Sequence, residues 1–204
     1  MAASIALKRA RKGLQRKQAV GQKRKLALVE SAPAARARKA AAAPIRHCLL
    51  HGDIGDGMAN VIVAREASPY RLVAAFFLVD LYCLGIKDVF LQEFGAEEFG
   101  MYSLVMGSEA PLTPVDPAYA RKLLRDAAAW AASIGFKPHR DFVAVEQIFG
   151  DVDANACAKT FTFGKDGRPF YVPGPTETRA QIRQRFGHLV NRLGEDGFDY
   201  RGGI

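Results

Sequence analysis

Ala59-Asn-Val-Ile-Val-Ala-Arg65 and Arg71-Leu-Val-Ala-Ala-Phe-Phe-Leu-Val-Asp80 decide the fold class of this 204-residue chain. Both runs have strand length and are rich in β-branched or aromatic residues. Only Glu66-Ala-Ser-Pro-Tyr70 separates them. A connection that short predicts an antiparallel pair, because a parallel crossover needs a dozen residues or more. Upstream, Ile45-Arg-His-Cys-Leu-Leu50 reads as another short strand. The glycines of His51-Gly-Asp-Ile-Gly-Asp-Gly57 mark a loop. A phosphate cradle would place such glycines ahead of a helix, whereas here Asn60-Val-Ile-Val63 follows, so a turn is expected.

Downstream, three helices are marked. Asp116-Pro117 supplies an N-cap and a first-turn proline, Gly135 closes the segment, and Leu123, Leu124, Ala127, Ala131 and Ile134 share one face. Asp141–Phe149 reads as a short helix stopped by Gly150. The last helix starts at Thr176 or Thr178, where Thr178-x-x-Gln181 fits a capping box, and it ends at Gly194. Between the second and third helices, Thr160–Val172 reads as a β-hairpin around Lys165-Asp-Gly167. Strands, helices, a hairpin and a final helix predict an α+β fold: a small, mostly antiparallel sheet of four or five strands packed by about three helices.

The charge is unevenly placed. Residues 1–46 carry 13 Lys/Arg and one acid, Glu30, for +12, while residues 47–204 sum to −4. Residues 1–44 are therefore read as a basic, Ala-rich arm, disordered or transiently helical over about 5–29, with a flexible linker at 31–44. Residues 45–204 are read as one globular domain. The cations Lys8, Arg9, Arg11, Lys12, Arg16, Lys17, Lys23, Arg24, Lys25, Arg36, Arg38 and Lys39 suit a polyanion. Such a segment gains affinity for phosphates by releasing condensed counterions. No aromatic residue lies in 1–46, so base stacking is not available there. The expected partner is RNA or DNA, held without sequence preference. An address signal and a solubilising tail are the competing readings of the arm, and an alternative function is a protein-interaction or regulatory module whose arm only sets its location.

Apolar runs stop far short of the ~20 residues of a membrane span, and cations interrupt any early apolar stretch, so no membrane or secretory role is expected. Cys48, Cys83 and Cys157 are widely spaced and odd in number. Reduced thiols in a cytoplasmic setting, nucleoid- or ribosome-associated, are the natural expectation.

Three segments occur together: Phe77-Leu-Val-Asp-Leu-Tyr-Cys-Leu-Gly-Ile-Lys-Asp88, Ile148-Phe-Gly-Asp-Val-Asp153 and Phe161-Thr-Phe-Gly-Lys-Asp-Gly-Arg-Pro-Phe-Tyr-Val172. In these the chain resembles a family of small, uncharacterised bacterial proteins. The resemblance covers most of residues 45–200, omits the basic arm, and implies one domain without implying an activity.

Candidate chemistry is sparse. Asp80, Cys83 and Lys87 lie where a buried strand ends, a common place for reactive groups in folds with sheets. Cys83 is the nucleophile of an enzymatic alternative, His139 its distant base, and Asp153 a further acid. The simpler reading has Asp80 capping a turn, Gly85 permitting it, and Lys87-Asp88 opening a solvated helical segment. A zinc alternative takes His47, His51 and Cys83. Asp151-x-Asp153-x-Asn155 begins like a calcium loop, but Ala156 and Thr162 occupy the positions that require Gly and Glu. Asp80, Asp151 and Asp153 would have to converge to hold a catalytic metal. Arg179, Arg183, Arg185 and Arg192 flank the last helix as a solvated edge. No motif calls for a cofactor.

Overall fold

The computed structural model describes residues 32–175 and 177–202. Cations 8–25 of the arm, and the expectation of disorder over 5–29, lie outside the described residues. In chain order the elements are α1 (Pro33–Ala41), β1 (Ile45–His51), β2 (Met58–Ser68), β3 (Arg71–Asp80), β4 (Gly85–Gly95), α2 (Ala96–Glu109), β5 (Leu112–Pro114), α3 (Pro117–Ser133), α4 (Phe142–Val145), β6 (Phe170–Tyr171), α5 (Arg179–Leu193) and β7 (Asp199–Tyr200). The fold is α+β, with a five-stranded sheet in the order β4-β3-β2-β1-β5, antiparallel at every pairing.

Strand β3 explains the architecture. Its alternation sends Ala75, Phe77 and Val79 to one face of the sheet and Leu72, Ala74 and Phe76 to the other. Both faces are thus apolar and both need cover. On the first, α1, α3 and α4 pack through Ala37, Leu123, Leu124 and Phe142, joined by Ile148 of the 3-10 turn after α4. On the second, α2 is the one helix among the described residues, held by Phe99 and Met106. A third cluster, Cys83, Leu84, Ile134, Tyr171, Leu189 and Phe198, ties α5 and the short parallel β6–β7 pair to the end of the sheet.

Four local expectations are corrected. The stretch read as a linker holds a helix, α1, opened by Pro33 at its first position, with Arg38 and Lys39 in its last turn where cations favour the helix dipole. Ala37 and Ala40 are buried, so the folded unit extends back to Pro33 and takes Arg36, Arg38 and Lys39 with it. Alanines that look like linker composition are here the small residues that let a helix lie close on the sheet.

Lys87-Asp88 opens no helix. Both belong to β4, whose Val89, Phe90, Leu91 and Phe94 pair across to Phe77, Phe76, Ala75 and Leu72. Gly85 enters that strand with φ +66°, where a side chain would stand 2.7 Å from the Ala131 Cβ and 2.9 Å from the Ala127 carbonyl oxygen of α3.

The expected hairpin at 160–172 is reduced to a single bridge, Lys165 to Arg168. Phe170 and Tyr171 pair instead with Asp199 and Tyr200. Finally, five α-helices stand among the described residues where three were read, α2 being the long one missed.

Arg65, buried at 5% exposure, locks the first layer. Its Nε donates to the Ile148 carbonyl at 2.9 Å, Nη1 to Ala43 at 2.6 Å and Nη2 to Phe149 at 2.7 Å. One guanidinium on β2 thereby satisfies carbonyls at the exit of α1 and at the end of the helical segment after α4, groups that helix termini leave without partners. Replacing Arg65 by Leu strands those acceptors in the interior. The expected loss is about 3–5 kcal/mol of unfolding free energy, read from urea titration as a fall in midpoint at constant slope.

Candidate functional site

Asp80 ends β3 and turns the chain. Its Oδ1 accepts from the backbone N–H groups of Tyr82 at 3.0 Å and Cys83 at 2.8 Å. Lys87, five residues on in chain order after Tyr82 and next to the Gly85 turn, returns on β4 and brings Nζ to 4.0 Å from Asp80 Oδ2. The structure therefore brings together three residues of the predicted cluster, Asp80, Cys83 and Lys87.

It also adds three that sequence reasoning did not assign there. Glu177, just before α5, places Oε1 at 3.3 Å from Lys87 Nζ and 2.5 Å from Arg185 Nη1, and its Oε2 accepts from the Tyr171 hydroxyl at 2.5 Å. Arg185 had been read as part of a solvated helix flank. It turns inward instead, and its Nη1 is shielded from solvent. The only nearby signal is Thr178, whose hydroxyl caps α5 by accepting from the Gln181 N–H. That cap fixes where the helix starts, and the residue before it becomes the one aimed at Lys87.

Electrostatically the cluster closes on itself. Two carboxylates, Asp80 and Glu177, meet two cations, Lys87 and Arg185. Burial pushes the Asp80 carboxyl above its ordinary value, against the pull of Lys87 and of the N–H groups of Cys83, Tyr82 and Leu84. Burial pushes Glu177 the same way, but the Tyr171 hydroxyl, the Gly174 N–H, Arg185 and Lys87 together hold it below the usual glutamate range. Tyr171 in turn is raised by its own burial and by the Glu177 carboxylate it donates to.

Cys83 is fully buried, and burial, reinforced by the Asp80 charge, pushes its thiol up to about 12. A thiol held there is protonated at neutral pH, which is the wrong state for a nucleophile. The arrangement is a neutralised ionic knot joining the β3–β4 turn to the C-terminal unit, and it gives the enzymatic reading no activated group.

The remaining candidates are placed apart from this knot. Asp153 caps a single 3-10 turn by accepting from the Asn155 N–H at 2.9 Å, in a hollow shared with Asp116, Tyr119 and Cys157. His139 stands 3.8 Å from Asp88 at the edge of β4. His47 stacks on Phe99 with ring centroids 5.1 Å apart, and His51 Nε2 lies 3.0 Å from the Met106 carbonyl oxygen. Both histidines face α2, whereas Cys83 belongs to the cluster under α5. Among the described residues no three of His, Cys, Asp and Glu converge to hold a metal, and Asp80, Asp151 and Asp153 do not meet.

A second buried charge centre is structural as well. Burial alone would raise the Glu146 carboxyl, but hydrogen bonds from Arg121 and Arg125 at 2.7 Å each hold it below its ordinary value. Arg121 also donates to the Gly150 and Val152 carbonyls, stitching α3 to the loop beyond α4.

No protein-family model matches the chain, and none of the curated proteins or solved structures compared with it does either. The family likeness in the three quoted segments consequently carries no site residues or activity over to this chain.

Two outcomes follow from these environments. Cys83 and Cys48, both buried and both pushed up to about 12, are expected to stay silent toward an aromatic disulfide reagent at pH 8, while half-buried Cys157 reacts. One fast thiol per native chain and three after denaturation is the expected count; fast reaction of Cys83 would reopen the nucleophile reading. For acid stability, Glu146 and Glu177 bind protons more readily in the unfolded chain than in the folded one. Their stabilisation is complete above the ordinary glutamate value of 4.5 and is lost as pH falls through their depressed folded values. Asp80, raised on folding, contributes with the opposite sign. Urea midpoints should therefore fall between about pH 5 and pH 3, and the Glu146→Gln variant, already weaker at neutral pH, should lose less over that interval. Parallel curves for the two proteins would remove Glu146 from the account.

Proposed function

We propose that the protein is a nucleic-acid-associated accessory protein, tethered to RNA or DNA by its basic N-terminal residues. The observation that carries this reading is the segregation of charge: +12 over residues 1–46 against −4 over the rest. Opposite signs dispersed over one surface would cancel beyond a Debye length of about 8–10 Å, whereas a segment of one sign keeps its field. Phosphate contacts of this kind set affinity and salt dependence without reading bases.

The folded body supports continuity of the basic surface. Arg36 and Lys39 of α1 line an open hollow of about 1020 Å³ with Arg71 from the start of β3. Glu93 is the one acid among the lining residues, paired with Arg71 at 2.8 Å and Arg36 at 3.7 Å. Three cations thus stand around this hollow beside the start of the described residues. Arg38 points elsewhere, to the Gln147 side chain at 3.2 Å. Nothing in the ionic knot around Asp80 competes with this reading, because its charges are spent on one another. Among the described residues no helix is long and apolar enough to cross a membrane. A cytoplasmic location, associated with nucleoid or ribosome, belongs to the same proposal.

The test compares the full chain with a variant in which the nine cations between Lys8 and Lys25 are replaced by Gln, on duplex DNA, single-stranded DNA and structured RNA across a salt series. Log affinity is expected to fall linearly with log salt, by about 0.9 per phosphate engaged on duplex DNA, and the variant should lose most of both affinity and slope. Equal binding by the two proteins, or no binding at moderate salt, overturns the proposal. A deletion meant to isolate the body must stop before Pro33, since α1 is part of the core.

A further inference from the structure

Helix α2 is apolar on nearly every side. Phe99 and Met106 point into the sheet, yet Met101, Leu104 and Val105 stand 64%, 70% and 57% exposed. Tyr102, on the flank, and Phe90, on strand β4 beside it, continue the patch, linked through Phe76 by ring contacts of 5.7 and 4.7 Å. A helix that is hydrophobic all round belongs inside something. Two interior glycines point the same way. A Cβ at Gly100 would meet nothing within 4 Å, and one at Gly107 only the Leu112 Cβ at 3.9 Å. The fold of a single chain therefore does not need Gly at either place, although each loosens the helix. Glycine on an exposed helical seam is what close approach by a second helix uses.

We infer that this face is a homodimer interface, in which α2 packs antiparallel against α2 of a second copy about a two-fold axis. The size fits a pair of copies. Five large apolar side chains presenting on the order of 100 Å² each give roughly 500 Å² per copy. Two-fold symmetry doubles that to about 1,000 Å², the lower bound for a specific interface. The pattern is self-complementary as a two-fold contact requires. An antiparallel register that sets Met101 against the partner copy's Leu104 also sets Gly100 against Val105, a small residue opposite a branched one. The same register sets Glu97 against Ser108, and Glu109 against Ala96 in the first helical turn, which carries Glu97 and Glu98.

Sedimentation velocity on the full chain, at about 0.5 M salt where contacts through the basic arm are screened, tests this. A mass of two chains is expected at tens of micromolar. Leu104→Lys should weaken the dimer by about thirtyfold or more, and Leu104→Met should retain it. Gly100→Leu guards against a folding artefact: its Cβ has free space in a single chain, so the monomer should stay folded by circular dichroism while the dimer is lost. A monomer at every concentration, a dimer indifferent to both disruptive substitutions, or one that exists only at low salt overturns the inference. The first of these outcomes would leave the face to another partner or to residues 1–31 of the same chain.

Discussion

A sheet with an interior strand that is apolar on both faces must be covered twice. β3 imposes that demand here, with Phe77 and Val79 on one side and Phe76 and Leu72 on the other. Two layers of helices answer it. α1, α3 and α4 form a dense layer on the first side, closed by Arg65 and by the Glu146–Arg121–Arg125 group. On the second side one fourteen-residue helix does the work of three. The imbalance between the two layers is what leaves Met101, Leu104 and Val105 in solvent. Removing such side chains from water is worth on the order of 1–2 kcal/mol each, a sizeable sum beside the marginal net stability of a domain.

The buried charges have a common logic. Arg65 has no acid bonded to it and instead satisfies three carbonyls at the ends of helical segments. Asp80 and Glu177 have their own cations, and Glu146 has two arginines. Arg65, Glu177 and Glu146 each join elements distant in sequence, where an apolar contact would hold them together without fixing their relative orientation. Charge neutralisation inside also explains why the β3–β4 turn presents no activated thiol. A lysine between two carboxylates and a thiol buried beside one of them make a joint, and the group that a nucleophilic site would require is the one this environment suppresses.

Much of the fold was legible because it rests on local rules. The β2–β3 pair follows from two strand-length apolar runs and a short turn. α3 follows from Asp116-Pro117, where the Asp116 carboxylate does accept from the Ala118 and Tyr119 N–H groups. α5 follows from its capping box. The misses share a different cause. α1 has alanine where a helix stripe would normally show large apolar residues, because the sheet below needs close approach rather than bulk. β4 carries Lys87-Asp88 near its start, polar for the sake of the ionic knot and the sheet edge, and that disguised a strand. α2 was missed because its apolar residues surround the axis and give no one-sided period. The site was legible only in part. Asp80, Cys83 and Lys87 are close in sequence, but Tyr171, Glu177 and Arg185 reach them through tertiary packing that no local pattern encodes.

The sparsely covered face and the basic arm are coupled by geometry. Each chain enters the fold at Pro33 on the layer opposite α2. If two copies join through α2, each Pro33 lies on an outer layer of the pair and not at its centre. On the proposed function the two arms would then meet a polyanion as two cationic segments of one dimer. Binding of the first raises the effective concentration of the second, so that two individually modest, sequence-indifferent contacts yield an avidity that neither has alone. Such an arrangement suits a long, repetitive ligand, because a phosphate backbone offers a second site at almost any spacing. It gives no comparable advantage with a short anion, which one arm can satisfy by itself. The uneven cover of the sheet would then serve to set how many arms meet the polymer, while the charge of each arm sets how tightly it holds.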